Sequence, residues 1–408
     1  MKISPRYRWY LLGLSALTVA VVIGIPSMSL SVLFNEISSE LQLNLVQVGW
    51  VWSIGALPAL FTGFFCGGVI DRFGPKRVMI IGIASVSLAT AARGLAGNFL
   101  SLIMIILVVG TLVPLVSMSG FKISGILFPH RQLGLANGIL SMGMAFGLLF
   151  GSLFSASVFS PLLGGWRNVM FFYGALALML CLPWFFVRLN PEHTREESEA
   201  VESVPIRQAL GHVIKLKNIW LLGIAFLGLG GCVQGISGYL PMYLRGIGWP
   251  GTAADGALSI FNAMSLIFIL PLAYLSDRLG SRKTILLGAL AVLAAGTVLL
   301  AAADGWAVWA AVALSGMMRD GSAALILTMA VETEGVGPRY AGSATGLAMT
   351  FFFLGNLISP PIGNKLAEIA PGAPFLFWAG MAQLGIVSLL FVRSGSHMTP
   401  KQVFPPAV

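Results

Sequence analysis

Long apolar runs recur along the whole sequence, and a short polar segment separates each from the next. Twelve of them approach the ~20 residues that a helix needs to cross the hydrocarbon core of a bilayer. Charged residues make up 10% of the 408 residues, whereas soluble domains carry about 25%. The sequence therefore predicts an all-α polytopic membrane protein with twelve transmembrane helices. The predicted spans cover 9–34, 46–70, 78–97, 99–127, 133–160, 166–188, 218–244, 256–275, 284–303, 306–331, 342–363 and 374–392.

The first apolar run is too long for a signal peptide and no small-residue cleavage site follows it, so we expect it to remain as span one. Cys66, Cys181 and Cys232 all fall inside apolar runs, where a thiol behaves as a small apolar side chain. We therefore expect no disulfide framework.

The lysines and arginines are distributed unevenly between the two sets of span ends. Most of the 24 lie at one set, and Arg93, Arg167, Arg245 and Lys365 lie at the other. Cytoplasmic loops near span ends carry the excess of basic residues. We therefore expect a multi-pass protein of the cytoplasmic (inner) membrane with both termini in the cytoplasm, and we expect the three minority arginines to be interfacial anchors. This topology accounts for the net charge of +9, so no nucleic-acid partner is expected.

Two segments of the chain repeat each other. "GGVIDRFGPKR" at 67–77 follows span two, and "LAYLSDRLGSRK" at 272–283 follows span eight. Such a repeat predicts two six-helix bundles that hold a site at their interface near the bilayer midplane. The predicted parts are an N-terminal bundle at 1–189, a cytoplasmic linker at 190–217, a C-terminal bundle at 218–393 and a cytoplasmic tail at 394–408.

The repeated loop resembles the signature of the major facilitator superfamily (MFS) of secondary transporters, Gly-x-x-x-Asp-(Arg/Lys)-x-Gly-x-(Arg/Lys)-(Arg/Lys), and the resemblance covers the whole chain. The matching residues are Gly67, Asp71, Arg72, Gly74, Lys76 and Arg77, and in the second copy Asp277, Arg278, Gly280, Arg282 and Lys283, with Ala273 in place of the first glycine. Gly74 is expected to permit a tight turn between two spans.

The resemblance also implies roles for this loop. It implies the MFS fold and an Asp71 that latches the two halves in the outward-open state, close to the start of span eleven. Gating is implied for Asp71, Arg72, Arg77, Asp277 and Arg278. The alternative is that these charges only enforce the topology.

Two adjacent charges, Arg319 and Asp320, fall near the middle of span ten in the stretch "GMMRDGSAAL". A charge at that depth costs about 2.5–3.5 kcal/mol on insertion scales, so such residues face a cavity or a partner. Successive helix residues point about 100° apart. We therefore expect Arg319 to enter the central cavity as an anion site and Asp320 to lie on the helix flank as a proton carrier. The alternative is a buried structural ion pair.

Other polar residues fall at a similar depth in the second half. Gln234, Asn262 and Asn356 lie inside apolar runs, and Tyr239 lies further along span seven. We expect each to line the substrate cavity beside Arg319, although an intramembrane amide is about as often a hydrogen bond between helices.

A second gate is suggested by charges near one end of spans four and ten. Lys122 lies near the end of span four, and Glu332 and Glu334 lie near the end of span ten. A bridge from Lys122 to one of these glutamates would close the cytoplasmic side and break in the inward-facing state. Lys122 reaching up to the lipid headgroups is the alternative.

Glycines recur at a spacing of four or five along span five, at Gly138, Gly143, Gly147 and Gly151. Small residues at this spacing allow close approach between membrane helices. We expect them to serve packing.

Three functional hypotheses remain. The first is a proton-coupled symporter of a small, monocarboxylate-like organic anion. The second is an exporter of drug-like or neutral compounds, in which the charge pair is structural and the pocket is formed by Trp50, Trp52, Phe351, Phe352 and Phe353. The third is a non-transporting receptor or membrane enzyme. No metal-ligand cluster, nucleophile–base pair or phosphate loop stands out, so we expect a monomeric transporter without enzymatic activity, cofactor or metal.

Overall fold

The computed structural model describes residues 5–187 and 206–392, and every regular element in these ranges is a helix. Within these ranges twelve helices are long and apolar enough to cross a membrane, which confirms the predicted number. In chain order they are α1 (Pro5–Thr18, a π-helical turn Val19–Gly24 and Ile25–Val32), α2 (Leu45–Ser53 and Ala56–Phe73), α3 (Pro75–Arg93), α4 (Phe99–Leu127), α5 (His130–Phe154, a π-helical turn Ser155–Phe159 and Ser160–Leu163), α6 (Trp166–Met179 and Cys181–Phe186), α7 (Lys217–Gly246), α8 (Gly251–Leu279), α9 (Arg282–Leu300), α10 (Trp306–Met317 and Arg319–Val331), α11 (Gly337–Leu366) and α12 (Ala373–Leu390).

Two short helices of the described part of the chain lie outside the spans. Phe34–Glu40 follows α1, and Ile206–Val213 precedes α7. Much of the predicted linker at 190–217 and all of the predicted tail at 394–408 lie outside the described residues. The proposed division into two bundles and a linker therefore stays a prediction at its boundaries.

Because each span crosses the layer, successive connections lie on alternate faces. We name the face with the α2–α3, α4–α5, α8–α9 and α10–α11 connections the basic face, since it carries most of the lysines and arginines. The face with the connections after α1, α3, α5, α7, α9 and α11 is the opposite face.

Local sequence explains where several spans begin. Asn44 and Gln47 form a capping box at the start of α2, and Asn98 and Ser101 form one at the start of α4. In each box, the side chain of either residue accepts a hydrogen bond from the backbone N–H of the other. These N–H groups would otherwise lack a partner at the start of the helix. The turn after α2 is made by Gly74, whose φ of 82° confirms the expected tight turn.

The N-terminal half is held together by the predicted glycine contacts. A Cβ added to Gly143, Gly147 or Gly151 of α5 would lie 2.5 Å from a backbone oxygen of α1. Only glycine permits helices to approach this closely. The expectation that these glycines serve packing is therefore confirmed, except at Gly138, where a Cβ would meet open space.

Candidate functional site

The helix that carries the central charges is interrupted immediately before them. Met318, with φ −97° and ψ −5°, separates Trp306–Met317 from Arg319–Val331. Arg319 and Asp320 therefore occupy the first turn of a new helical segment near the middle of α10. A straight helix would direct the two side chains about 100° apart, and the break changes this local geometry.

Arg319 is bound on both edges of its guanidinium group. Its Nε donates to Asp320 Oδ1 at 2.9 Å and its Nη2 donates to Asp320 Oδ2 at 2.8 Å. Its Nη1 donates to Asn262 Oδ1 of α8 at 2.7 Å, and the guanidinium carbon lies 5.3 Å from the centre of the Phe261 ring. The expectation that Arg319 and Asp320 point apart is thus wrong for this state. They form a bidentate ion pair.

The two members of the pair differ in exposure. The Arg319 side chain is 8% exposed, whereas the Asp320 side chain is 36% exposed. The backbone N–H of Asp320 donates to Ser265 Oγ of α8 at 3.2 Å. The carboxylate is therefore the accessible side of the pair, and Arg319 lies behind it.

The remaining predicted cavity residues differ in what they contact. Gln234 of α7 donates from Nε2 to the Trp52 carbonyl of α2 at 3.4 Å. Tyr239 is 5% exposed and donates its hydroxyl to the Pro371 carbonyl in the loop after α11, at the opposite face. Within the described residues, neither side chain is hydrogen-bonded to Arg319. The expectation that they line one site with Arg319 stays a prediction.

Asn356 of α11 keeps an unused acceptor. The residue is 9% exposed, and its Oδ1 has no hydrogen-bond partner among the described residues. The same oxygen lies 2.8 Å from where a Cβ of Gly230 would stand on α7. Burying an amide oxygen without a hydrogen-bond donor costs free energy. Because this oxygen is buried against α7, the role of Asn356 in substrate binding stays a prediction.

The two halves of the molecule are joined by hydrogen bonds toward the opposite face. Trp52 Nε1 of α2 donates to the Gln234 carbonyl of α7 at 2.8 Å. Trp52 fits here because α7 has Gly238 at the contact, where a Cβ would lie 2.4 Å from Trp52 Cδ1. Ser31 Oγ of α1 donates to the Ser237 carbonyl at 2.5 Å.

A second set of polar contacts joins α5 and α8, and we name it the α5–α8 seam. It consists of Ser152 and Ser157 of α5 with Asp255, Ser259 and Asn262 of α8. The two hydroxyls of Ser152 and Ser259 lie 2.9 Å apart, and Asn262 Nδ2 donates to Ser152 Oγ at 3.5 Å. Ser157 Oγ donates to Asp255 Oδ2 at 2.6 Å.

The charged member of the seam escaped the sequence analysis. Asp255 is fully buried and pairs with Arg245 at 2.5 Å. The predicted eighth span began at 256, which left Asp255 in a loop, whereas α8 begins at Gly251. The sequence signal for this ion pair is the presence of Arg245 ten positions before Asp255.

The minority arginines have protein partners, which corrects their description as interfacial anchors. Arg245 pairs with Asp255, and Arg167 donates from Nε to Glu40 at 2.7 Å. Arg93 is 5% exposed and donates from Nη1 to the Pro26 carbonyl of α1 at 3.1 Å.

At the basic face, the described ion pairs stay within one half. Lys122 of α4 pairs with Asp71 of α2, and Arg282 of α9 pairs with Glu332 of α10 at 2.8 Å. Glu334 is exposed in the loop after α10. Hydrogen bonds join the two halves at the opposite face. At the basic face, these ion pairs do not join them. The molecule is therefore closed at the opposite face.

The other residues of the repeated loop are mostly exposed. Arg72 lies over the Phe73 ring at 5.5 Å, and Arg77 and Arg278 are exposed. Of Asp277 only the backbone is described. Their gating roles stay predictions.

Two halves that meet along an interface, with a charge pair near the middle of α10, have the architecture of a secondary transporter. The family model of the Major Facilitator Superfamily matches residues 14–360 and, again, 247–405. The chain belongs to this family.

Relatives with assigned names are transporters. A Cupriavidus necator protein named probable sulfoacetate transporter SauU is 25% identical, over 96% of this chain and 95% of its own length. Human monocarboxylate transporter 6 is 24% identical, over 96% of this chain and 80% of its own length. Among solved structures, a bacterial homolog of the human lysosomal transporter Spinster, described as inward-facing and unoccupied, has a TM-score of 0.73 at 17% identity and covers 96% of this chain and 95% of its own.

Proposed function

We propose that this protein carries a small, monocarboxylate-like organic anion across the membrane by alternating access, as a proton-coupled symporter. The observation that carries the proposal is the position of Arg319, an arginine buried near the midplane whose forked donors already hold a carboxylate. The names of the two relatives, one for a sulfonated acetate and one for monocarboxylates, support an anionic substrate.

The contact between Arg319 and Asp320 indicates how the substrate would bind. Arginine presents parallel N–H donors that match a carboxylate with two hydrogen bonds. A substrate carboxylate would take the place of the Asp320 carboxylate on Nε and Nη2.

Proton coupling follows from this competition. Asp320 holds the donors of Arg319 only while it is ionised, since a carboxylate accepts these bonds far more strongly than a neutral acid does. A proton on Asp320 would free Arg319 for the substrate anion. The loaded site would then contain one cation, one anion and one neutral acid, and it would bring no net charge into the membrane.

The gates belong to the same proposal. With the basic face in the cytoplasm, the present state corresponds to inward-facing, in which Lys122 pairs with Asp71 rather than with a glutamate of α10. In the outward-facing state Lys122 would exchange Asp71 for Glu332 or Glu334. The variant Lys122→Cys with Glu332→Cys tests this, because a disulfide should form only when the basic face closes. Equal cross-linking in both states would contradict the exchange.

Uptake into proteoliposomes tests the anion site. Arg319→Gln should abolish saturable, pH-driven uptake of small carboxylates, while Arg319→Lys, which keeps the charge without the fork, should retain part of it. Intact folding is checked by detergent size-exclusion chromatography. Normal uptake by Arg319→Gln would refute the proposed role.

One observation favours a different function. Arg319 is already satisfied by Asp320 and Asn262, as expected for a structural pair in an exporter of drug-like or neutral compounds. The predicted aromatic pocket is partly used elsewhere, because Trp52 closes the opposite face and Phe352 packs on Phe226 with ring centres 4.6 Å apart. Transport of neutral or cationic compounds that Arg319→Gln leaves unchanged would support this alternative.

A further inference from the structure

The charge pair is connected to the opposite half of the molecule through one side chain, Asn262. Its Oδ1 accepts from Arg319 Nη1 at 2.7 Å, and its Nδ2 lies 3.5 Å from Ser152 Oγ of α5. Ser152 in turn contacts Ser259 at 2.9 Å. A continuous polar path therefore runs from α10 through α8 to α5, that is, from Arg319 to the seam that closes the opposite face.

Asn262 is held between these partners with little freedom. It is 2% exposed, and its Nδ2 also donates to the Leu258 carbonyl of its own helix at 3.1 Å. The amide orientation is fixed because a positively charged donor requires the oxygen to face Arg319. The Nδ2 group is thereby turned toward Leu258 and Ser152. The state of Arg319 thus determines which group Asn262 presents to the seam.

We propose that Asn262 is a positioning residue that couples occupancy of Arg319 to closure of the α5–α8 seam. The inference rests on the proposed function in that the occupant is the substrate anion. An anion that takes Nε and Nη2 in place of Asp320 draws the guanidinium group away from Asn262 Oδ1, which frees the amide to turn and loosens the seam. By reciprocity, closing the seam lowers the affinity of Arg319 for the anion.

The direction of this coupling suits release. In the state closed at the opposite face, Arg319 has Asp320 and Asn262 as internal partners, so a bound anion has to displace groups already in place. In the state open at that face, α8 has separated from Ser152, and Asn262 no longer has to serve both. The anion is therefore bound more weakly when the basic face is accessible, which is the face where the proposed symporter releases it.

A distance measurement without any ligand tests the path. Nitroxide labels at Leu162→Cys and Ile247→Cys report opening, because both positions are exposed at the opposite face in different halves and the native thiols are buried. Ser152→Ala removes both contacts that Ser152 makes between the halves, the one with Ser259 at 2.9 Å and the longer one with Asn262 at 3.5 Å. Ser259 and Asn262 keep acceptors on their own helix. The substitution should shift the population toward the open form by about fivefold.

The decisive comparison is a double-mutant cycle. Arg319→Gln with Ser152→Ala should open the face less than the product of the two separate shifts, because both cut one path. The matched control is Ser31→Ala, which removes a bond between halves that has no connection to Arg319. Its shift should multiply with that of Arg319→Gln. Multiplicative shifts in both cycles would overturn the role of Asn262.

A ligand arm separates the two proposals. With pyruvate or sulfoacetate as probe, the wild type and Ser31→Ala should open several-fold further, while Asn262→Leu should not respond although it still binds the probe. An equal response in Asn262→Leu would overturn the coupling. No binding of either probe to the wild type, together with a coupled ligand-free cycle, would count against the anion proposal and leave the link from Arg319 to the seam in place.

Discussion

Replacing Asp320 by asparagine removes the charge that competes with a substrate anion for Arg319 and keeps the size of the side chain. The carboxylate now accepts two charge-assisted hydrogen bonds, at 2.9 and 2.8 Å, and such bonds contribute about 1.5–3 kcal/mol each. An asparagine oxygen would accept one or both at about 1 kcal/mol in total. The internal competitor is therefore weakened by about 2–5 kcal/mol before screening.

Water reduces this figure, because the Asp320 side chain is 36% exposed. If screening halves the difference in free energy, about 1–2.5 kcal/mol remains. Asp320→Asn should then bind a small carboxylate about 5- to 60-fold more tightly than the wild type at pH 7. Wild-type affinity should rise as the pH falls, since a proton on Asp320 does what the substitution does, and the variant should lose this dependence.

Isothermal titration of detergent-purified protein at several pH values measures both quantities. The matched control is Asp71→Asn, which removes an exposed carboxylate at the basic face and should leave the pH dependence intact. Unchanged affinity and an unchanged pH profile in Asp320→Asn would refute competition for Arg319. The same variant should still exchange anions across proteoliposomes but fail to accumulate them on a proton gradient.

Three further results are expected. Gly238→Ala should weaken closure of the opposite face, because the new Cβ would lie 2.4 Å from Trp52 Cδ1, and faster labelling of a cysteine at that face would report it. Gly147→Val should lower the melting temperature by separating α5 from α1, where a Cβ would lie 2.5 Å from a backbone oxygen; an unchanged melting temperature would contradict this packing. The hydrogen bond from Arg167 holds the pKa of Glu40 below its usual value of 4.5. Ionised Glu40 therefore stabilises the fold above pH 4.5, and this stabilisation is lost as the pH falls through the lowered pKa. Glu40→Gln should have a lower melting temperature than the wild type at neutral pH and the same melting temperature in strong acid.

The sequence was sufficient for the class of fold because a bilayer imposes simple rules on it. Span length, the distribution of basic residues and the doubled loop each depend on local composition. The depth of Arg319 and Asp320 could be located in the same way. The contacts of each side chain could not be predicted in this way, because they depend on helix packing and on one backbone irregularity.

Met318 illustrates the limit. The expectation that Arg319 and Asp320 diverge assumed a regular helix, and the break at Met318 has no proline to announce it. Asp255 illustrates another limit, since a shift of a few residues in the start of α8 turned an apparent loop residue into a buried contact between halves. Trp52 was assigned to a pocket by composition, but its partner is a backbone carbonyl of α7, which a sequence pattern does not reveal.

Anion binding by the wild type and by Arg319→Gln, measured by thermal shift, tests the central claim most directly. A ligand that binds the folded state raises the melting temperature by mass action. A panel of small carboxylates, sulfonates, neutral compounds and cationic drugs should stabilise the wild type through one class of anion only, and that stabilisation should vanish in Arg319→Gln. Stabilisation by neutral or cationic compounds alone, equal in both proteins, would contradict an anion site at Arg319.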